Sequence, residues 1–473
     1  MVAPLIIKGK FLYKKTEKAV RVRFAPSPTG KMHLGNVRIA LENYLFAKKH
    51  QGSFVLRIED TDAERNFDPD ARKIIETLAW LNLSFDEGPI FQSQRKALYQ
   101  KYLALFEQKK LIYRCFCSQE ELEKKRDRQI ALKKPPRYDR TCYQLNEQQV
   151  ADNVTADKPF VWRFHIDETQ HLSFTDIARG VLHFDLANFS DFSLTRQDGS
   201  FTFIFTNAID DWDMAISHVL RGDDHLSNTV SQIAMFQAVG APIPLYWHLP
   251  LLCNKEGKKL SKRDFGFSVE DLKNAGYLPE ALVNYLGVIG ASVQDEILTI
   301  DQLVSLLPDH PASPNNIKYD LDKLNWVNHK WIERMATPSL VAACSPFLAA
   351  HYDITTLDQT KLTQLLTLVQ TDLITLGHCV EATRFYFQRP TSVKIQNLAV
   401  RELIKKNISL LPHIHNWEAA IKQEAKSTNL PLSTVFPTIR AALTGSPNGP
   451  HLRGLIEVLG TEEARVRLEA AVD

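Results

Sequence analysis

The sequence predicts an α/β protein with an α+β insertion and an all-α C-terminal region. Three patterns carry this reading. In residues 19–113, short apolar runs alternate with helical periodicity, which implies a parallel sheet. Residues 114–200 interrupt that alternation with three cysteines, a charged helix and strand-like pieces. From about 330 to 473, apolar residues recur at spacings of three and four, with no long strand candidate. A length of 473 residues also suits about three domains.

Each element has its own signal. "AVRVRF" (19–24) reads as a buried strand. Leu34, Val37, Leu41, Tyr44 and Leu45 then recur at helical spacing. "SFVLRIED" (53–60) is a second strand. Asp68 and Pro69 read as the N-cap and first residue of a helix. That helix, "ARKIIETLAWL" (71–81), aligns Ile74, Ile75, Leu78 and Leu81 on one face. Within 114–200, "SQEELEKKRDRQIALKK" (118–134) reads as a helix, and "PFVWRFHI" (159–166) and "VLHFDL" (181–186) as strands. The stretch "DGSFTFIFTNAIDDWDMAISHVLRGDDHL" (198–226) reads as strand and loop. Ser227 is expected to cap a helix running to Val239, and "WHLPLLCN" (247–254) to form another buried strand. "SVEDLKNAGYLPEALVNYLGVIG" (268–290) carries two helical patterns split at 276–279. There is no internal repeat and no low-complexity tract.

Composition narrows the function classes. With 57 basic and 55 acidic residues the net charge is +2, so any nucleic acid would have to be held by a local basic face. No apolar run approaches the roughly 20 residues that cross a membrane. The start, "MVAPLIIKGKFLYKK", lacks a signal-peptide core and cleavage site, and 1–18 reads as an extension. Six cysteines in a chain this long argue against a disulfide scaffold and for a reducing, cytoplasmic setting.

Two stretches carry chemistry. "RVRFAPSPTGKMHLGNVRIALENYLFAKKH" (21–50) places two prolines, a Thr-Gly turn and His-Leu-Gly between a strand and a helix. A helix start just after a tight turn offers unpaired N–H groups and a positive dipole end, which suit phosphate. Prolines fix the turn, Gly30 and Gly35 permit close approach, and His33 adds a donor. Spacing alone leaves an ordinary proline-rich connection equally open. The second stretch, "NKEGKKLSKRD" (254–264), gathers Lys255, Lys258, Lys259, Lys262 and Arg263 around a glycine and a serine. It could neutralise charge developing on a triphosphate, although such a run seen alone is more often a solvated basic loop.

Together these stretches resemble the signatures of class I aminoacyl-tRNA synthetases. "HLGN" (33–36) resembles the HIGH signature and "KLSKR" (259–263) resembles KMSKS. "FAPSPTGKMHLGNVR", "LRIEDTD", "HVLRGDDHLSNT", "PLLCNKEGKKLSKR" and "IRAALTGS" follow in the order found in bacterial glutamyl-tRNA synthetases, so the resemblance covers nearly all of the chain beyond Lys18. It implies a Rossmann-type catalytic domain from 19–113 and 201–255. It implies an acceptor-stem-binding insertion at 114–200 and a stem-contact domain carrying KLSKR at 256–329. Residues 330–473 would be a helical anticodon-binding region, divided into two subdomains near 395.

The resemblance also implies roles. The family activates L-glutamate with ATP and Mg²⁺ and passes the glutamyl group to the terminal ribose of tRNA. His33, Lys259 and Lys262 would be catalytic. Gly30, His33, Gly35, Asn36, Asp224, Lys259, Leu260, Ser261, Lys262 and Arg263 would hold ATP. Asn36 stands where the signature often has a second histidine, and Asp223 and His225 would flank Asp224 near the ribose and adenine. Asp224 reads equally well as a cap in a strand-to-helix loop. Arg23, Ala25, Ser27, Glu59, Phe203, Asn207 and Arg221 would form the glutamate pocket. In it Arg221 would read the side-chain carboxylate and Glu59 would pair with the ammonium. Each arginine taken alone would more often be a surface ion-pair member. Phe203 departs from the family, which commonly has tyrosine there.

Cys115, Cys117 and Cys142 supply three soft ligands where tetrahedral zinc needs four. Gln144 stands where some relatives have histidine, and the resemblance makes Tyr138 the candidate fourth ligand for Zn²⁺. The alternative is three reduced core thiols. Cys253, Cys344 and Cys379 read as isolated core cysteines. "DLDKLNWVNHKWIERM" (320–335) resembles the entry to the anticodon region, with Trp326, His329, Lys330 and Trp331 mixing aromatic and basic groups. Asp372 falls near a position where relatives carry arginine, which implies either weaker discrimination between the glutamate and glutamine tRNAs or a preference for the latter. Three other readings are distinguishable from the sequence. A glutaminyl enzyme would need β-barrels after the core, and a truncated enzyme that modifies a tRNA base would lack 330–473. A non-catalytic tRNA-binding paralogue would have lost part of the ATP machinery. A monomer is expected.

Overall fold

The computed structural model describes residues 19–62, 66–258, 260, 268–291, 293–307, 315–391 and 393–473. The extension 1–18 and Lys259, Ser261, Lys262 and Arg263 of the second signature lie outside the described residues. The chain forms two compact units. The first comprises Met1–Val269, Leu286–Val293 and Thr299–Tyr319; the second comprises Glu270–Tyr285, Gln294–Leu298 and Asp320–Asp473.

The first unit begins with β1 (Arg21–Phe24), α1 (Leu34–Lys49), β2 (Ser53–Ile58), α2 (Arg72–Trp80) and β3 (Glu87–Phe91). The three strands pair in parallel in the order β1-β2-β3, and β1 and β2 are almost wholly buried, as their apolar runs require. The chain continues through α3 (Lys96–Gln108), β4 (Ile112–Cys115), α4 (Gln119–Ala131), α5 (Glu147–Thr155) and β5 (Val161–Phe164). It then runs through β6 (His171–Asp176), β7 (Gly180–Asp185), β8 (Phe192–Ser193), α6 (Phe203–Asp213), β9 (His218–Gly222), α7 (Leu226–Val239) and β10 (Leu245–Leu249). The charged α4 holds its place through a capping box between Ser118 and Glu121, because no residue of it is buried.

β4, β5 and β8 form a small antiparallel sheet of their own. β6 and β7 do not stay with it. They join β10 and β9 in a sheet of order β7-β6-β10-β9, with β6 parallel to β10. Two strands from within 114–200 therefore widen the layer that carries Arg221. β9 meets β1 through the Ser217 amide donating to the Arg21 carbonyl at 2.9 Å. The core beneath packs α3, α6 and α7 through Tyr99, Phe106, Phe205, Ile209, Ile233 and Phe236.

Several local expectations change in the structure. Residues 203–213, read as strand and loop, form α6. Phe205, Ala208 and Ile209 bury at helical spacing, and the aromatic content of "FTFIF" hid that period. α2 starts at Arg72 because Ala71 sits in the left-handed region at φ 53°. Asp68 still accepts from the Lys73 amide at 2.9 Å, from a turn before the helix. Ser227 lies inside α7, whose first residue is Leu226. "WHLPLLCN" is cut at Pro250 into β10 and a short β11 (Leu252–Cys253), the latter paired with β12 (Ile317–Lys318).

A charged layer binds β2 to α6. Arg57 is wholly buried; its Nη1 donates to Asp211 at 2.7 Å and its Nη2 reaches Glu59 at 3.5 Å, with Asp210 3.9 Å from Nε. Asp211 also accepts from Arg23, and Asp210 from Gln92, Arg95 and Tyr99. Burial opposes ionisation of Asp211, yet Arg23 and Arg57 hold its carboxyl below the usual range.

The second unit is helical from Leu321 to Val472 among the described residues. Leu340, Leu365, Leu366, Val400, Trp417, Ile439 and Leu455 fill its interior. Arg467 ties its last helix to the carbonyls of Phe385 at 2.7 Å and Leu443 at 2.6 Å. Cys344 and Cys379 are not isolated from one another: the Cys379 sulfur lies 3.8 Å from the Cys344 carbonyl oxygen.

Arg57→Met removes the buried cation shared by Glu59, Asp210 and Asp211, leaving Glu59 with only the Asn207 amide as a hydrogen-bond donor among the described residues, and is expected to destabilise the first unit by about 3–5 kcal/mol, read as a lower denaturation midpoint of its unfolding transition. An unchanged midpoint would show that the layer does not hold β2 to α6.

Candidate functional site

A cleft of about 570 Å³ opens at the carboxyl ends of β1, β2, β9 and β10. The chain leaves β1 for β2 on one side and β9 for β10 on the other, so the loops diverge there and leave a crevice. Ala25 to Thr29 form one wall, with Pro26 and Pro28 pinned by amides of Glu59 at 3.0 Å and Phe67 at 3.1 Å. Gly222, Asp224 and His225 form the opposite wall, and Pro250 to Leu252 a third.

His33 is the N-cap of α1. Its Nδ1 accepts from the Asn36 amide at 3.3 Å, so in the neutral ring Nε2 carries the proton. A side chain on Gly35 would stand 3.1 Å from the His33 ring, so glycine lets the ring close over the first turn. That turn carries no acidic residue, and its positive end is not neutralised from within the helix. Of the residues expected to hold ATP, His33, Gly35, Asn36, Asp224 and Leu260 line the cleft. Gly30 is not among the lining residues; its φ of 119° shows a turn that needs glycine. Lys259, Ser261, Lys262 and Arg263 lie outside the described residues.

All seven residues expected to hold glutamate line the cleft: Arg23, Ala25, Ser27, Glu59, Phe203, Asn207 and Arg221. Arg221 is 5 % exposed, and its Nη2 donates to Thr229 Oγ1 at 2.6 Å. Among the described residues its Nε and Nη1 have no hydrogen-bond partner. Burial pushes its pKa down to about 10, with the Arg23 charge adding to that, and it stays charged at neutral pH. The guanidinium lies 5.5 Å from the centre of the Tyr246 ring. Arg23 is more committed: Nε and Nη2 donate to Asp211 at 3.0 and 3.3 Å, and Nη1 to the Leu220 carbonyl at 3.3 Å.

Glu59 is the acidic counterpart. Burial pushes its carboxyl up, against the pull of Arg57, Arg23 and Asn207. Asn207 donates to it at 2.5 Å and accepts from Gln232 at 3.0 Å, which fixes the amide's orientation. The cleft thus holds a buried base pushed down and a buried acid pushed up. Each would gain from an oppositely charged group entering the cleft.

Sequence reasoning assigned no role to Thr61, Asp62, Asn66, Arg38 or Arg196, all of which line the cleft. Asp62 and Arg38 fall inside the quoted phrases "LRIEDTD" and "FAPSPTGKMHLGNVR", a signal that could have found them. Arg196 has no such signal and reaches the site because the turn before α6 folds back, with its Nη1 on the Phe201 carbonyl at 2.6 Å. Phe203 packs against His225 with ring centres 5.3 Å apart. Burial and the Arg221 charge push the His225 pKa down to about 4, so this ring is neutral.

A second cluster lies apart from the cleft. The sulfurs of Cys115, Cys117 and Cys142 lie within 4.8 Å of one another, and all three residues are buried. Tyr138 Oη stands 3.2 Å from Cys115 Sγ and 3.6 Å from Cys117 Sγ. The hydrogen bond with Cys142, aided by Tyr138 and Arg163, pulls the Cys115 thiol down to about 4 against its burial.

In the second unit, Trp326 is exposed with Lys323 4.3 Å above its ring. Trp331 is pinned by Asn284 at 2.9 Å, and His329 by the Leu373 carbonyl at 2.9 Å. Lys330 pairs with Glu333 at 2.6 Å.

Comparison with known proteins matches residues 19–326 to the catalytic domain of class I tRNA synthetases for E and Q. Residues 339–472 match an anticodon binding domain. The chain is 36 % identical over 474 residues to a glutamate–tRNA ligase of Carboxydothermus hydrogenoformans, covering 95 % of this chain and 99 % of that one. It is 35 % identical to the glutamate–tRNA ligase of Bacillus subtilis, with the same coverage. A crystal structure of a glutamate tRNA ligase from Elizabethkingia meningosepticum, in complex with its amino acid, superposes with a TM-score of 0.85 at 28 % identity, covering 96 % of this chain and 99 % of that one. The glutamate–tRNA synthetase of Elizabethkingia anophelis gives 0.86 at 29 %, covering 96 % and 100 %.

Proposed function

The chain belongs to the class I tRNA synthetases for glutamate and glutamine and acts as a glutamate–tRNA ligase, and on that premise we propose how its residues divide the work. It joins glutamate to tRNA at the expense of ATP, which the family uses with Mg²⁺. Nothing in the comparisons favours a glutaminyl enzyme or a non-catalytic paralogue.

One observation carries the assignment of the pocket: Arg221 is a buried cation lining the cleft with two nitrogens unpartnered. A carboxylate is the group that suits an arginine fork. Glu59 with Asn207 supplies an anion for an ammonium. A dicarboxylic amino acid offers both groups and leaves its α-carboxylate to react. Arg221 then holds the side-chain carboxylate, Glu59 the ammonium, and Arg23 the wall between them. Phe203 contributes a face without the hydroxyl that relatives commonly have, so water supplies any bond made there.

An oxygen of the α-carboxylate attacks the α-phosphorus of ATP, and pyrophosphate leaves with the electron pair of the broken P–O bond. A hydroxyl of the terminal ribose of tRNA then attacks the adenylate carbonyl, loses its proton, and AMP departs. Neither step needs a covalent enzyme intermediate. The barrier falls through alignment and through charge placed where charge develops. His33 Nε2 and the first turn of α1 suit the phosphates, with Gly35 and Asn36 beside them and Asp224 towards the ribose. Lys259 and Lys262, with Ser261 and Arg263, meet the departing pyrophosphate.

The cysteine cluster fits zinc. Three close thiols with a phenol at 3.2 Å make a four-donor set of the composition zinc accepts. Cys115, Cys117, Cys142 and Tyr138 would hold the ion, whose part is structural: it would tie β4 to the turn at 141–144. All six cysteines are free, which supports a reducing, cytoplasmic setting. No helix among the described residues is long and apolar enough to cross a membrane. We take the chain to act as a monomer. Asp372 is half-buried near the position where relatives carry arginine, and we take it to exclude the glutamine tRNA less strictly than an arginine there would.

Arg221→Ala removes hydrogen bonds to a charged group worth about 1.5–3 kcal/mol, so the KM for glutamate should rise about 10- to 150-fold in ATP–pyrophosphate exchange run with tRNA, while that for ATP barely moves. An unchanged KM for glutamate would reassign the pocket. Charging both purified tRNAs with glutamate and with glutamine tests the substrate pair; charging with glutamine instead of glutamate would overturn it. Protein purified without chelator should carry about one zinc per chain, lost in Cys117→Ser. Metal-free protein with unaltered stability would rule the zinc site out.

A further inference from the structure

A chain of four buried side chains runs behind the cleft. Asp176 Oδ2 stands 2.7 Å from His248 Nδ1, His248 Nε2 stands 2.7 Å from Thr229 Oγ1, and Thr229 Oγ1 accepts from Arg221 Nη2 at 2.6 Å. Asp176, His248 and Thr229 are each 0 % exposed. They come from β6, β10 and α7, and the chain ends on the arginine at the close of β9.

Its polarity is fixed from one end. Asp176 is saturated as an acceptor. Its Oδ1 takes the amides of Ala178 and Arg179, each at 2.9 Å, and its Oδ2 takes the His248 amide at 2.9 Å as well as the ring. Burial opposes its ionisation, but these donors hold the carboxyl below its usual range. An ionised carboxylate accepts only, so His248 Nδ1 carries the proton and Nε2 a lone pair. Thr229 must then donate to His248, which leaves its oxygen to accept from Arg221. The hydroxyl's other acceptor, the His225 carbonyl, is farther away at 3.2 Å. Burial disfavours the imidazolium, and the Arg221 charge adds to that, so the ring stays neutral.

We propose that Asp176, His248 and Thr229 form a buried relay that sets the orientation of Arg221, and so act as positioning residues for glutamate selection. The inference rests on Arg221 holding the side-chain carboxylate. Without the relay, the one hydrogen bond this guanidinium makes among the described residues is lost and the fork is free to turn towards Tyr246 or into the cleft. With it, one nitrogen is anchored, and the unpartnered Nε and Nη1 keep a single direction. The relay would matter for binding the amino acid and not for the phosphates, because its three positioning members lie off the cleft and the hydrogen-bonded chain reaches it at Arg221.

The test uses the full chain in ATP–pyrophosphate exchange with tRNA present. Thr229→Val removes the hydroxyl at nearly constant volume and should raise the KM for glutamate about tenfold or more, leaving the KM for ATP within about threefold. Thr229→Ser restores the hydroxyl and should restore the KM. His248→Leu should behave as Thr229→Val, whereas His248→Gln can donate to Asp176 and accept from Thr229 and should stay near the parent. This pair decides the matter if Thr229→Val fails to fold. A glutamate KM unchanged in Thr229→Val and His248→Leu, or KM values for glutamate and ATP rising together, overturns the relay. Arg221→Ala is run alongside. If it raises the glutamate KM while the relay variants do not, the relay falls and the reading of the cleft stands. If it has no effect, both fall.

Discussion

A guanidinium removed from water loses solvation that carboxylates can return, and Arg57 rests on three. Glu59 sits two residues along its own strand, while Asp210 and Asp211 reach it from α6. This constraint sets much of what surrounds it. Asp211 is drawn between Arg57 and Arg23, so the first strand is keyed to the same helix as the second. Asp210 turns the other way and gathers Gln92, Arg95 and Tyr99. Glu59 is left at the edge of the layer with one face towards the cleft, where a substrate ammonium can complete its surroundings.

The cleft inherits a particular incompleteness. Structural ion pairs in this layer are closed: Arg23 and Arg57 both have carboxylate partners. Among the described residues, Arg221 has no carboxylate hydrogen-bonded to it; it donates to one hydroxyl and lies over an aromatic face. Burial costs such a cation solvation that these contacts return only in part, which is a feature expected of a binding group. The acid and the base that burial strains most are also the two that a zwitterion with an extra carboxylate would satisfy.

Much of this was legible in the chain. Of the residues expected to hold glutamate, Ala25, Ser27, Glu59 and Arg221 fall inside the motif phrases, Arg23 stands just before the first, and Phe203 and Asn207 lie outside them; all seven line the cleft. The α/β and helical regions were readable from apolar periodicity. α6 was missed because its buried face is aromatic and its polar residues, Asp210 and Asp211, point inward to arginines; a period count treats them as exposed. The participation of β6 and β7 in the sheet of β9 and β10 was invisible for a similar reason. Their partner strand lies about seventy residues away, and pairing at that distance leaves no local trace.

The sequence by itself pointed to the reaction, to residues that line one cleft, and to three thiols with a phenol beside them, since each rests on residue types at short spacing. Only the tertiary structure decided which arginine is spoken for and which is open. It also placed His248 and Asp176 behind Arg221 through strands far apart in the chain. The physical reason is that spacing encodes what a residue can do, whereas solvation and partnership depend on what folding brings beside it.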